Sequence, residues 1–217
     1  MVVFSVHQLL ADDGGSGYSR FGLGDIRYFP SSRSAGMGGA GISSLSINSI
    51  DQINPANLAR IPTVRYEVGL MYEGFSTTDG IRSAYLSSAN FNSLMIALPV
   101  ERSYGLVVGL GITPFSKVNY RIVTPVSQGP LNYTLGYEGT GGISTAQLGI
   151  SFLPVGELSI GAKVNYYFGS IHRVISQSFG TSQYTTGEAD HSTRLKGVGF
   201  TFGAVYTGLK NVFHLPE

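Results

Sequence analysis

The feature that most constrains the fold is an alternation of apolar residues with small or polar ones that starts at Arg65 and recurs along the chain. In the first segment Tyr66, Val68 and Leu70 fall on one face, and their neighbours fall on the other. Side chains alternate between the two faces of a strand, so a period of two predicts strands with one apolar face. Similar segments lie around 94–98, 104–112, 146–152, 158–168 and 198–206.

The charge content indicates which way the apolar face points. Only 12% of the residues are charged, against about 25% in a typical soluble domain. Tyr and Phe lie near the ends of the apolar stripes, and the opposite face is rich in Gly, Ser, Thr and Asn. No apolar run approaches the ~20 residues of a spanning helix. We therefore expect an antiparallel transmembrane β-barrel with its apolar face in lipid; a soluble lipocalin-like barrel is the less favoured alternative.

The spacing of turn residues predicts six strands and the opening of a seventh. Three short turns at 101–103, 156–157 and 208–211 alternate with longer loops, as in outer-membrane barrels. Since an open sheet would leave edges in lipid, we expect about seven strands of a larger barrel, with the chain as a fragment. Pro114 should interrupt the third strand over 112–117. The predicted strands are 65–74, 82–100, 104–124, 131–155, 158–180 and 191–207.

The first 64 residues differ from the remainder and form a separate predicted unit. They are rich in Gly and Ser and show no steady period, except for a short helix expected at Asn54–Arg60. Gly36, Gly38 and Gly41 spell the G-x-G-x-x-G pattern of dinucleotide-binding loops. That reading requires a buried strand before the loop and a helix after it, and neither is visible. The division is 1–64 as N-terminal segment and 65–217 as partial barrel.

Two elements in this unit carry a resemblance to a known family. Residues 34–41, Ser-Ala-Gly-Met-Gly-Gly-Ala-Gly, are followed by Asn54, Pro55 and Ala56 before the first strand. This order and spacing resembles the N-terminal hatch of FadL-type outer-membrane transporters. The resemblance implies a barrel of about 14 strands when complete, plugged by the hatch, in the bacterial outer membrane. It also implies uptake of long-chain fatty acids or aromatic hydrocarbons.

The resemblance assigns roles to particular residues. The hatch or gate comprises Gly36, Gly38, Gly39, Gly41, Asn54, Pro55 and Ala56. Pro114 marks the kink of a lateral exit from barrel to bilayer. Independently of the resemblance, the alternation places Arg65, Glu67, Lys163 and Asn165 on the luminal face, where we expect a polar network that anchors the hatch; a direct part in ligand binding is the alternative. The alternative function is a structural or secretion-system barrel that binds protein partners.

Composition also bears on other functions. The chain has no cysteine, and its four histidines lack metal-ligand spacing. A net charge of +1 without a basic block argues against nucleic acid as a partner. We therefore expect no enzyme activity, catalytic residue, metal or cofactor. The expected partners are a hydrophobic small molecule and the lipid bilayer.

Overall fold

Six long antiparallel strands dominate the computed structural model. It describes residues 15–27, 31–43, 46–50, 53–78, 83–128, 131–179 and 185–208. A two-residue strand, β1 (Asp25–Ile26), comes first in the chain. The long strands are β2 (Arg65–Thr78), β3 (Ser83–Glu101), β4 (Leu106–Gln128), β5 (Leu131–Val155), β6 (Leu158–Phe179) and β7 (Gly187–Tyr206).

The long strands pair in chain order, from β2 to β7, and β1 adds to β4. Each neighbouring pair is antiparallel, as expected for strands joined by hairpins. The described strands form one seven-stranded sheet that does not close on itself. The predicted all-β antiparallel architecture is therefore confirmed at this level.

The two faces of the sheet differ in chemistry. One face exposes rows of large apolar side chains, with Leu70 at 75% and Phe202 at 78% exposure. The other face carries small and polar residues that are covered, including Ser93, Ser151 and Ser159, all at 0% exposure. The alternation seen in the sequence therefore places its apolar stripe outward and its small residues inward.

The N-terminal segment lies against the inward face. It contains a 3₁₀ helix at Gly17–Arg20, a single-turn α-helix α1 (Ser32–Gly36) and a second 3₁₀ helix at Pro55–Arg60. Ile50, Leu58 and Ile61 from this segment join Met95 and Val107 of the wall in one buried cluster. Residues before the first long strand thus supply much of the apolar interior. Within the described residues, no helix combines the length and apolarity needed to cross a membrane.

Several predicted boundaries need correction. The predicted polar loop at 181–190 is too long, because Gly187 already pairs with Gln177 and Glu188 with Ser176. Pairing with β6 holds these polar residues in the ladder despite their weak strand propensity. The third predicted strand likewise continues to Gln128 rather than ending near 124. The opening of a seventh long strand, at 212–217, lies outside the described residues.

Candidate functional site

The short helix at Pro55–Arg60, here called the plug helix, is held at its start by Asn54. The Asn54 side chain caps the helix by accepting from the Ala56 N–H at 3.0 Å, and Pro55 occupies the first turn. The Asn54 amide also donates to the Ile42 carbonyl at 2.9 Å, which ties the preceding loop to the helix. The sequence predicted this helix, and the structure shows it as 3₁₀ rather than α.

The plug helix packs on wall positions that have no side chain. A Cβ built at Gly161 would lie 2.6 Å from the Pro55 carbonyl carbon and 2.7 Å from the Ala56 nitrogen. At Gly109 a Cβ would lie 2.8 Å from Leu58 Cδ1. The helix therefore approaches the wall backbone more closely than any other residue type would permit. Sequence reasoning treated these glycines only as the small face of a strand.

The glycine run 36–41 follows α1 and does not precede it. Ser31 caps the start of α1 by accepting from the Ser34 N–H at 3.1 Å, and Gly39 donates back to the Ser34 carbonyl at 2.7 Å. Gly38 and Gly39 have φ of 66° and 90°, the left-handed conformation that ends many helices. The run therefore forms a turn that ends α1. Phosphate groups bind at helix N-termini, so the run does not have the position of a dinucleotide-binding loop. Gly41 packs near Ile53, and a Cβ at Gly36 would meet open space.

Arg65 and Glu67, which the sequence predicted on the luminal face, contact the N-terminal segment. Glu67 accepts from the Ile50 N–H at 2.8 Å, and Arg65 donates to the Asn48 carbonyl at 2.9 Å. The other two, Lys163 and Asn165, lie farther along the sheet and line a polar cavity of about 160 Å³ together with Arg27. Asn165 donates to Thr201 at 3.0 Å, which is a contact within the wall.

The wall divides between β3 and β4. Their ladder runs from Glu101–Leu106 up to Leu94–Ile112, and in the described residues it stops there. Beyond this point β3 continues with β2, and β4 continues with β5. We call the part up to the Leu94–Ile112 pair the lower wall, and the part beyond it the upper wall.

A bulge lies on each strand where the wall divides. On β3 the register with β2 skips Asn92, and on β4 the register with β5 skips Phe115. Bulges bend a strand and increase its local twist, so the two bulges turn the strands apart. Pro114 itself stays in the ladder opposite Ser144, and Phe115 packs edge-to-face on Tyr167 with ring centroids 5.1 Å apart. The bulge at Phe115 lies within the predicted interruption over 112–117, and the exit role of Pro114 stays a prediction.

Residues 15–27, here called the strap, lie along the edge of β4 that β3 leaves. Asp25 pairs with Lys117 and Ile26 with Ser116, and the Arg27 N–H donates to the Phe115 carbonyl at 2.9 Å. Further up, the Ser19 hydroxyl donates to the Asn119 carbonyl at 3.1 Å. The strap thus takes the place of a neighbouring strand over part of the divided edge.

Two arginine contacts also hold the middle of the strap. Arg20 stacks over the Tyr137 ring at 4.3 Å, a cation–π contact with β5. Arg173 of β6 donates to the Gly22 carbonyl at 2.9 Å.

A chain of polar side chains, here called the latch, bridges the strap and the divided strands. Arg27 of the strap forms an ion pair with Glu73 of β2 at 2.8 Å, and Asn90 of β3 donates to the same carboxylate at 3.3 Å. Lys117 of β4 then donates to Asn90 Oδ1 at 2.7 Å. The latch joins β3 to β4 through side chains where their backbones have separated. Sequence reasoning missed it, because its members lie on four separate segments.

Cavities occur on both faces of the sheet and differ in size. An apolar groove of about 530 Å³ lies on the outward face and is lined by residues such as Leu94, Ile112, Leu148 and Tyr166. Between plug helix and wall, the cavity next to Leu58 measures only about 10 Å³. Specific sites for small apolar ligands usually measure 300–1,000 Å³ and enclose most of the ligand. The cavity next to Leu58 is therefore too small to be such a site.

Comparison with known proteins corrects the FadL resemblance. A sequence profile of the BamG family matches residues 1–215, almost the whole chain. No curated protein and no solved structure matches significantly. Assignment as a FadL-type transporter of fatty acids is therefore wrong, and so is the alternative of a structural or secretion-system barrel. BamG is a component of the BAM complex, which is compatible with the predicted association with the bacterial outer membrane. The chain belongs to the BamG family.

Proposed function

We propose that this chain acts in the assembly of outer-membrane proteins, as a component of the BAM complex. The observation that carries the proposal is the family match over residues 1–215. Because the match includes both the N-terminal segment and the sheet, the whole described fold belongs to the proposed role. The chain would work through contacts with other proteins and with the bilayer.

The outward face supports a location within the bilayer. On β7 alone Val198, Phe200 and Phe202 are 62%, 68% and 78% exposed. A contiguous apolar surface of this kind is unfavourable in water and favourable in hydrocarbon. The inward face is covered by the plug helix and the strap, which is compatible with a protein that conducts no solute.

Placement of the face in lipid is tested by two adjacent substitutions on β7. Arg in place of Phe200 should destabilise the inserted protein by about 2–4 kcal/mol if the residue lies at the middle of the bilayer. Thr201→Arg, on the opposite face, is the matched control and should retain more membrane-bound protein. The measurement is the amount of protein resistant to carbonate extraction. Equal loss in both variants would contradict lipid placement.

The assembly function is tested by depletion of the protein in cells. We expect fewer folded β-barrel proteins in the outer-membrane fraction, measured by quantitative mass spectrometry and by heat-dependent gel mobility. The tagged chain should co-purify with other BAM components in mild detergent. Growth on long-chain fatty acids is the control. It should fall no more than growth on other carbon sources when the protein is depleted. Normal barrel levels after depletion, together with no BAM co-purification, would overturn the proposal.

A further inference from the structure

The divided wall leaves backbone groups that a neighbouring strand would normally satisfy. From Thr113 onward β4 pairs with β5 on one side, and in the described residues only the strap pairs with its other side. The strap's ladder covers Ser116 and Lys117, while the strand runs on to Gln128. Unpaired strand edges are templates for adding another strand, and a membrane excludes the water that would satisfy them.

Buried polar atoms without partners cluster at the same place. Asn92 Nδ2, Ser93 Oγ and Ser116 Oγ have no hydrogen-bond partner, and these residues are 3%, 0% and 4% exposed. Buried polar groups in folded proteins are nearly always bonded. Asn92 and Ser93 lie on β3 where the ladder ends, and Ser116 lies on β4 beneath the strap. The point of division therefore has spare hydrogen-bonding capacity on both of its sides.

We propose that the β4 edge in the upper wall is a strand-docking site whose occupant is an extended strand of another outer-membrane β-barrel protein. This inference rests on the proposed assembly function and names the partner it would engage. The incoming strand adds antiparallel to β4 and displaces the strap, which is a case of β-augmentation. The end of the strap marks the site, since Asp25 and Ile26 are extended and pair antiparallel with β4 through the backbone.

The way the strap is held makes its displacement feasible. Its backbone pairing is short, and most of its other contacts are polar, such as Arg27 with Glu73 and the two hydrogen bonds between Ser19 and Asn119. Gly24 also packs closely on the Lys117 backbone. A longer strand would gain backbone hydrogen bonds along β4 that the strap does not make. An occupant with alternating apolar residues would also continue the outward apolar face of the sheet. Both requirements describe a β-barrel strand.

The test places a photo-crosslinking residue, p-benzoylphenylalanine, at Val123 on β4 of the full chain in cells. Val174 on β6 is the matched control. Arg121 of β4 lies opposite Glu138 of β5, which lies opposite Val174 of β6, so these three residues share one face of the sheet. Val123 is two residues after Arg121 and therefore lies on that same face. Val174 has a strand on each side. We expect crosslinks to outer-membrane β-barrel proteins when the photo-crosslinking residue is at Val123, and no such crosslinks when it is at Val174.

A disulfide lock tests the displacement of the strap. The chain has no cysteine, so Ile26→Cys with Ser116→Cys introduces one defined pair at Cα-partnered positions of antiparallel strands. Oxidation should abolish the Val123 crosslinks, reduction should restore them, and Ile26→Cys alone should be without effect.

The outcomes separate this inference from the assembly function. Unchanged crosslinking after oxidation, equal crosslinking from Val123 and Val174, or products containing only a second copy of this chain or only lipid would overturn it. If co-purification with BAM persists in those cases, the assembly function stands and only the docking site fails. If co-purification itself is absent, the assembly function fails as well.

Discussion

The lower and upper walls are built from the same strands but are held together by different chemistry. In the lower wall β3 and β4 are paired by their backbones, and the plug helix packs on glycines such as Gly161 and Gly109. In the upper wall the backbones separate, and Arg27, Glu73 and Lys117 join the parts through side chains. Close packing without side chains has few alternative arrangements, whereas polar contacts exchange with other partners at modest cost. The packing in the lower wall is thus hard to rearrange, whereas the side-chain contacts that join the strands of the upper wall can be exchanged.

The largest effect is expected where the plug helix meets the lower wall. Gly161→Ala places a Cβ 2.6 Å from the Pro55 carbonyl carbon, so helix or wall must move. We expect a loss of about 1–3 kcal/mol in unfolding free energy, as for overpacked cores. The measurement is unfolding of the purified protein in detergent. Gly156→Ala, where a Cβ meets open space, is the control. Equal stability of the two variants would contradict close packing of the plug helix on the lower wall.

A smaller loss is expected from removal of the helix cap. Asn54→Ala removes both the acceptor for the Ala56 N–H and the donor to the Ile42 carbonyl. Loss of such a cap costs about 1 kcal/mol. Asn48→Ala, at an exposed position in the same segment, should stay within about 0.5 kcal/mol of the parent. Limited proteolysis of residues before β2 measures the difference, and equal cleavage rates would argue against the cap.

The contribution of the latch to stability is tested by comparing two ion pairs of equal length. Arg27–Glu73 and Arg121–Glu138 both measure 2.8 Å, but their side chains are 14%/30% and 71%/49% exposed. Double-mutant cycles should give a coupling of about 1 kcal/mol for the first and about 0.3 kcal/mol for the second, which water and salt screen more strongly. The readout is unfolding free energy at low and high salt. A stronger coupling in the exposed pair would contradict the latch.

The smallest effect is expected at the short turn below the lower wall. Glu101 accepts from the Ser103 N–H at 3.0 Å, and this bond lowers the pKa of the carboxyl below its usual value. A lowered folded-state pKa gives stability that is present above the unfolded pKa and lost as the pH falls through the folded pKa. Glu101→Gln should therefore flatten the acid side of the stability profile slightly. An unchanged profile would show that the turn does not depend on this carboxylate.

The sequence predicted the strands well where a turn signal fixed both ends. The fourth predicted strand, 131–155, coincides with β5 because Gly156 and Glu157 mark its hairpin. Prediction failed at Gly187–Asp190, where pairing with β6 overrides a polar composition. It also could not reveal the divided wall, since the bulge at Asn92 carries no signal in the strand pattern.

The family assignment failed for a physical reason as well. The Gly-rich run and the Asn54-Pro55-Ala56 element serve a helix-ending turn and a helix that packs on wall glycines. These residues specify how a plug is held inside a sheet and do not describe what the protein engages. The period of two predicted the antiparallel sheet, whereas the family assignment required a match over almost the whole chain.

The plug helix has a consequence for the timing of folding. Asn54 lies within 3.5 Å of the Ala204 carbonyl oxygen, which is 150 residues later in the chain. Contacts so distant along the chain form late, because the intervening segment must first be ordered. The plug helix is synthesised before every long strand, yet its binding surface is complete only when β7 has been placed.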